Sequence, residues 1–208
     1  MQTQERIFET AKNFMYELGY KNTTYSMIAA KAEVPVGLVN YYYKKHELLE
    51  RIYTDFFKQI DYAIMQQDAG PDNTFQYHIL FSRIMLTQIF RDPKTRKFHL
   101  EINHNNLIPK SIHTLVRSRQ IAIIESFHQK MTPQYYYWCA TAEYGARREL
   151  IQQNKDISVD SPDFLALASL LSTITMRIAG LSPEIIDENT EKANELYDLM
   201  DCSKIKMF

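Results

Sequence analysis

A chain of 208 residues, 45% of them apolar, is long enough to bury one large core or two modest ones, and five glycines are too few for the many turns of an all-β protein. The formal net charge is -1, and residues 1–50 carry six Lys or Arg against six Asp or Glu, so the basic excess that would hold nucleic acid by charge alone is missing. Cys139 and Cys202, far apart, make neither a disulfide framework nor a metal pattern, Met1 to Asn13 has no apolar leader core, and the apolar run Phe164 to Leu181 is interrupted by Ser, Thr and Arg and is short for a membrane span. These features fit an all-α protein of the cytoplasm.

In chain order, Ile7, Phe8, Ala11, Phe14, Met15 and Leu18 recur at the spacing of one buried helix face, and Gly19 stops that helix, placing it at about 3–18. Thr24 can cap a second, short helix by accepting a free backbone N–H, with Ile28, Ala29 and Ala32 on its inner face. Glu33-Val34 form a turn, and Pro35, whose missing N–H is no loss there, opens a third helix. Val39 and Tyr43, four apart, point back at the second helix and leave Val36, Gly37, Leu38, Asn40, Tyr41 and much of Tyr42 outward. A fourth helix begins near His46 and carries Leu48, Leu49, Ile52, Tyr53, Phe56, Phe57, Ile60 and Ile64 to about Gln67. Ala69-Gly70-Pro71 breaks the pattern, and Asp72 or Asn73 can cap the next helix. Asp92-Pro93, Thr132-Pro133, Ser161-Pro162 and Ser182-Pro183 each pair a capping residue with a proline suited to the first helical position. They predict helices at about 73–91, 93–104, 109–130, 133–154, 162–180 and 183–200, with residues 201–208 as a loose tail.

Two short helices about a tight turn, followed at once by a long one, are the grammar of a helix-turn-helix. The residues between Arg6 and Ile52 carry a more specific pattern: Gly19-Tyr20, Thr23-Thr24, Ile28-Ala29, Ala32, Val34, Gly37-Leu38-Val39-Asn40-Tyr41-Tyr42-Tyr43, Glu47 and Leu49. In these residues the chain resembles the TetR family of bacterial transcriptional regulators. The resemblance implies an N-terminal helix-turn-helix DNA-binding domain, residues 1–45, and a larger helical effector-binding and dimerisation domain, residues 46–208. It departs from the family at Glu33, where Gly is usual in the turn and a left-handed conformation costs a non-Gly residue about 1 kcal/mol. Pro35 replaces the usual Ser cap, Val36 stands where a polar or basic residue is common, and His46 takes the place of the usual phosphate-binding Lys, so base readout is less hydrogen-bonded than is typical.

On this basis the stretch Val36 to Tyr43 enters the major groove with Gly37 on its outward face, Asn40 bonding a base edge or phosphate and Leu38 or Val36 meeting a thymine methyl. Thr24, Tyr25, Ser26, Tyr41 and Tyr42 bond phosphates and fix register. Lys45 and His46, next to Lys44 at the start of the fourth helix, add cations where helix-terminal N–H groups already favour phosphate.

Helices 133–154 and 162–180 have a composition suited to burial on more than one side, the second being apolar over more than half its circumference, and in TetR-like proteins two late helices pair with their counterparts in a second subunit. The expected partners are therefore a second copy of the chain and a roughly palindromic duplex. The resemblance also implies an inducer pocket in the Met-, Phe- and Tyr-rich middle of the chain. Phe81, Met85, Phe98, Ile102, Phe127, Trp138 and Tyr144 are its candidate lining, with His78, Glu101, His128 and Glu143 as polar groups nearby, and core packing as the alternative for each. No cofactor is expected. His99, Glu101 and His104 do not have the two-His, i to i+4 spacing of a helical zinc site, and no catalytic motif is evident. The rival functions are a helical enzyme using Glu101, His104 or Glu143 as acid-base groups, and a protein-interaction module using the Phe164 to Leu181 surface.

Overall fold

The computed structural model describes residues 2–68 and 70–208, so the Ala69 part of the predicted break lies outside the described residues. The protein is all-α: α1 Thr3–Leu18, α2 Tyr25–Ala32, α3 Val36–Tyr42, α4 Lys45–Met65, α5 Thr74–Arg91, α6 Pro93–His104, α7 Lys110–Ser126, α8 Pro133–Gln153, α9 Pro162–Ile178 and α10 Pro183–Leu199. No helix among the described residues is long and apolar enough to cross a membrane.

The helix starts follow from short polar side chains that accept the first free N–H groups. Thr24, Asn73, Asp92, Thr132, Ser161 and Ser182 all do so, and Pro93, Pro133, Pro162 and Pro183 occupy first helical positions. Pro35 differs from expectation: with ψ at 142° it is extended and precedes α3 as its cap residue, without a side-chain bond. Glu33 does take the left-handed conformation (φ 53°, ψ 51°) that lets Val34 N–H return to the Ala29 carbonyl at 3.0 Å. α7 ends at Ser126, earlier than the sequence suggests, because Phe127 turns in against Phe75 (6.0 Å between ring centroids) and left-handed His128 (φ 55°) lets Gln129 N–H close on the Ile124 carbonyl.

The buried side chains form one contiguous cluster running from Ile7 in α1 to Met207. α2 packs on α1 and α3, and α5 lies in the middle of the larger bundle against α4, α6, α7, α9 and α10. Residues 201–208 are not a loose tail. Cys202, Ile205 and Met207 are buried, Gln59 of α4 exchanges two hydrogen bonds with the Lys206 backbone (2.9 and 3.1 Å), and the Phe208 ring packs on Tyr16 of α1 and edge-on to Phe98 of α6. Cys139 and Cys202 are free, buried thiols, and burial raises the pKa of both.

Two helices tie α1 to the larger bundle. From α4, Arg51 donates to both Glu5 oxygens (2.8 Å each) and to the Tyr43 hydroxyl (2.7 Å), with its guanidinium over the Phe8 ring. At the start of α6, Asp92 accepts from the Tyr16 hydroxyl (3.3 Å) and Lys94 pairs with Glu17 (2.5 Å). At the other end of α6, Glu101 accepts the Tyr20 and Lys21 N–H groups at 2.9 and 2.7 Å, and Asn105 accepts from Lys21 Nζ at 2.6 Å. Gly19 makes this closure possible: its φ of +88° suits only glycine, and a Cβ there would lie 2.5 Å from Glu101 Oε2.

Candidate functional site

Two places in the structure concentrate unusual chemistry. The first is the outer face of α3. Val39 and Tyr43 are buried against α1 and α2, which turns Val36 (47% exposed), Gly37, Asn40 and Tyr41 (80% exposed) to solvent, with Leu38 and Tyr42 half-buried at its edges. The face carries no charge and ends in a Tyr41–Tyr42 edge contact. Beside it Thr24 and Ser26 are exposed at the start of α2 and Tyr25 is half-buried.

The cations around this face are arranged differently from expectation. Lys45 is folded inward: its Nζ lies over the Tyr20 ring (4.5 Å) and donates to the Lys21 carbonyl (3.3 Å), and burial lowers its pKa while Glu101 pulls the other way. Of the three neighbours Lys44 and His46 are the exposed ones, and Lys44 Nζ donates to the Asn40 side-chain oxygen at 3.2 Å, leaving the Asn40 amide N–H groups as its free donors. The Lys44 N–H is already taken by Glu47 at 2.6 Å, so the start of α4 offers fewer free donors than a bare helix end.

The second place is a cavity of about 150 Å³ lined by one stripe from each of five helices and by Asn106 and Ile108 between α6 and α7. α4 brings Tyr53 and Phe57; α5 brings His78, Phe81, Ser82 and Met85; α6 brings His99 and Asn103; α7 brings Ile112, His113, Val116 and Arg119; α8 brings Glu143, Tyr144, Arg147, Arg148 and Ile151. Within each set residues recur three or four apart, with adjacent pairs on α5, α7 and α8 widening the stripe.

Its polar groups are mostly held in place by one another. Glu143, 1% exposed, accepts from Gln120 (2.6 Å), Thr175 (2.8 Å) and Arg147 (2.7 Å). Burial alone would push this carboxyl up, but Arg147, Gln120 and Thr175 together hold it below the usual carboxylate value. His99 Nδ1 shares a 2.9 Å hydrogen bond with the Tyr53 hydroxyl, and burial pulls its pKa down to about 4. His78 is pulled down to about 4 as well, chiefly by burial, and its Nε2 is buried with no partner. The Tyr144 hydroxyl is likewise buried and unpartnered, with the Arg117 guanidinium 5.8 Å from its ring centroid.

Of the lining residues expected from the sequence, Phe81, Met85 and Tyr144 face the cavity, as do His78 and Glu143. Phe98 and Ile102 do not: they are fully buried one position round α6, where Phe98 meets Phe208. Phe127 packs on Phe75, and Trp138 is 58% exposed on the outside of α8 beside Tyr135. Glu101 serves the α1–α2 loop, and His128 and His104 are exposed. The sequence reading missed Arg119, Arg147 and His99 as cavity residues. Their signal was available as polar side chains at the spacing of an inner helix face. No protein-family model matches the chain, and no curated protein is detectably similar to it.

Proposed function

We propose that this chain is a DNA-binding transcriptional regulator of the TetR type, a cytoplasmic homodimeric repressor released from a roughly palindromic operator by a small ligand in the α4–α8 cavity. The observation that carries the reading is the outer face of α3. It is solvent-exposed, uncharged, and carries Val36, Gly37, Asn40 and Tyr41 on a short helix held rigidly by Val39 and Tyr43. Such a face suits a major groove, where Asn40 can donate to a base edge and Val36 can meet a thymine methyl. Lys44, His46 and the start of α2 supply phosphate contacts at its borders.

The outer sides of α8 and α9 support the homodimer. Tyr137, Trp138, Leu165, Leu170 and Ile178 are all more than a third exposed on two adjacent helices. A second copy covering that face would set two α3 helices about a two-fold axis, to be matched to successive major grooves about one turn apart. Release then follows from α4 and α6, each of which has one end at α1 and another part in the cavity. A ligand that prefers one placement of these helices shifts the population toward the form whose α3 spacing does not fit DNA.

The test is fluorescence anisotropy with duplexes drawn from the DNA flanking the gene, at two salt concentrations and against an unrelated duplex. Binding that persists at the higher salt and exceeds the unrelated duplex by roughly a thousandfold is expected. Asn40→Ala should weaken it by about 1–3 kcal/mol and Tyr41→Phe by less, with the dimer intact. Unaltered affinity in both variants would overturn the assignment of α3.

A further inference from the structure

The cavity is aromatic on one side and cationic on the other. Phe57, Phe81 and Tyr144 give it ring surfaces, and three guanidinium groups, Arg119, Arg147 and Arg148, line it against the single carboxylate of Glu143. That carboxylate is not available to a ligand cation, because Gln120, Thr175 and Arg147 already occupy both of its oxygens. The arginines are less committed. Arg119 spends only Nη2, on Asp61 and the Tyr77 hydroxyl, and Arg147 spends Nε and Nη2, on Glu143 and the Leu171 carbonyl. Each guanidinium carries five N–H donors, so both retain donors for a ligand. Even with Asp61 counted beside Glu143, three cations stand against two anions.

His78 supplies the second observation. It is 3% exposed, its Nε2 has no partner, and a buried imidazole nitrogen left in that condition is an unmet cost that a ligand atom can remove. The charged groups that act on it are Glu143 and Arg147 from α8 and Arg119 from α7, with the Ser172 backbone from α9 favouring its protonated form. His99 from α6 lines the same space. Carrying its proton on Nε2, the neutral His78 ring can donate to an anion that arrives among these groups. A volume of about 150 Å³ sets the size, since an apolar cavity of that volume holds a benzene ring.

We propose that the cavity binds a small aromatic carboxylate, with its ring against Phe57, Phe81 and Tyr144 and its carboxylate bonded by Arg119, Arg147 and His78. This rests on the reading of the cavity as the effector site, and it does not depend on whether α3 reads DNA.

The test uses the full chain alone, titrated calorimetrically near neutral pH with benzoate, benzyl alcohol and benzylamine. Benzoate should bind at least tenfold more tightly than benzyl alcohol, and benzylamine should not bind. Arg119→Gln should weaken benzoate tenfold or more while leaving benzyl alcohol within twofold. Met85→Trp, which fills the cavity from its apolar wall, should abolish both, with an unchanged melting profile showing that the chain is folded. Equal or tighter binding of benzyl alcohol or benzylamine, or no binding by any of the three, would overturn the proposal. Benzoate that binds as expected yet leaves DNA affinity unchanged would count against the regulatory reading alone.

Discussion

Glu101 is the residue through which α6 holds the α1–α2 loop, and its replacement by Ala can be worked through in free energy. The carboxylate accepts the Tyr20 and Lys21 N–H groups at 2.9 and 2.7 Å, two bonds to a charged acceptor. In a buried site each would contribute about 1.5–3 kcal/mol, but Lys21 is exposed and water can replace part of what is lost, so about 2 kcal/mol for the pair is expected. Gly19→Ala acts on the same joint by a different route. Its φ of 88° and ψ of 169° lie where only glycine is at ease, a strain of about 1–3 kcal/mol for Ala. To this is added the collision of the new Cβ with Glu101 Oε2, 2.5 Å away. In the Glu101→Ala background the collision disappears and the backbone strain remains. The double variant should therefore be more stable than the sum of the single variants implies, by about 1–2 kcal/mol. Equilibrium urea unfolding of the four chains by far-UV circular dichroism measures this directly. Additivity within about 0.5 kcal/mol would refute the close approach of Gly19 to Glu101 and with it the role given to α6 at this joint.

Acid should destabilise the fold before carboxylates titrate. His78 and His99 have folded pKa values of about 4, below the ordinary 6.5, so the unfolded chain binds more protons and stability falls as pH drops from 6.5 toward 4. At 1.36 kcal/mol per pKa unit the two rings together remove on the order of 5 kcal/mol by pH 4.5, and equal urea midpoints at pH 7 and pH 4.5 would contradict their neutral burial. Truncation after Met200 removes the buried side chains of Cys202, Ile205 and Met207 and the Phe208 contacts with Tyr16 and Phe98. At about 1.5–3 kcal/mol for each large apolar side chain the melting temperature should drop by roughly 10 °C, whereas a change of a degree or two would show the segment to be weakly held.

How much of this was legible in the sequence depends on whether the signal was local. Caps and prolines act on their own helix, so Asp92-Pro93, Thr132-Pro133, Ser161-Pro162 and Ser182-Pro183 mark starts that the structure reproduces at the same residues. Glu33 was legible for the same reason: a turn of that length demands a left-handed residue whatever its identity. The cavity was not, because periodicity assigns residues to faces without saying which faces meet. On α6 the apolar pair Phe98 and Ile102 was the natural choice for a pocket, yet apolar side chains complete the core, and the polar pair one position on, His99 and Asn103, faces the cavity. Residues 201–208 carry no helical period, but buried Ile205 and Met207 alternate with exposed Lys204 and Lys206 as in an extended strap, a two-residue period that a search for helices passes over.

The size of the cavity bears on how strongly a ligand could act. A ligand of about one ring makes few contacts, and only the part of its binding energy that differs between the two forms of the protein shifts their populations. Coupling between sites is typically about 1–3 kcal/mol, a change of roughly 5- to 150-fold in DNA affinity, short of the roughly 10⁴-fold preference needed to carry an equilibrium from 1:99 to 99:1. Complete release by such a ligand therefore requires two copies acting together or an operator affinity set near its threshold. On the proposed reading the joint would serve the first route. Tyr53 and Phe57 are on the helix whose Arg51 grips Glu5 and Tyr43, and His99 and Asn103 are on the helix whose Glu101 grips the α1–α2 loop. A ligand in the cavity would thus touch both of the helices that position α1 to α3. In a homodimer two ligands would act on one pair of α3 helices, so their effects on operator spacing add.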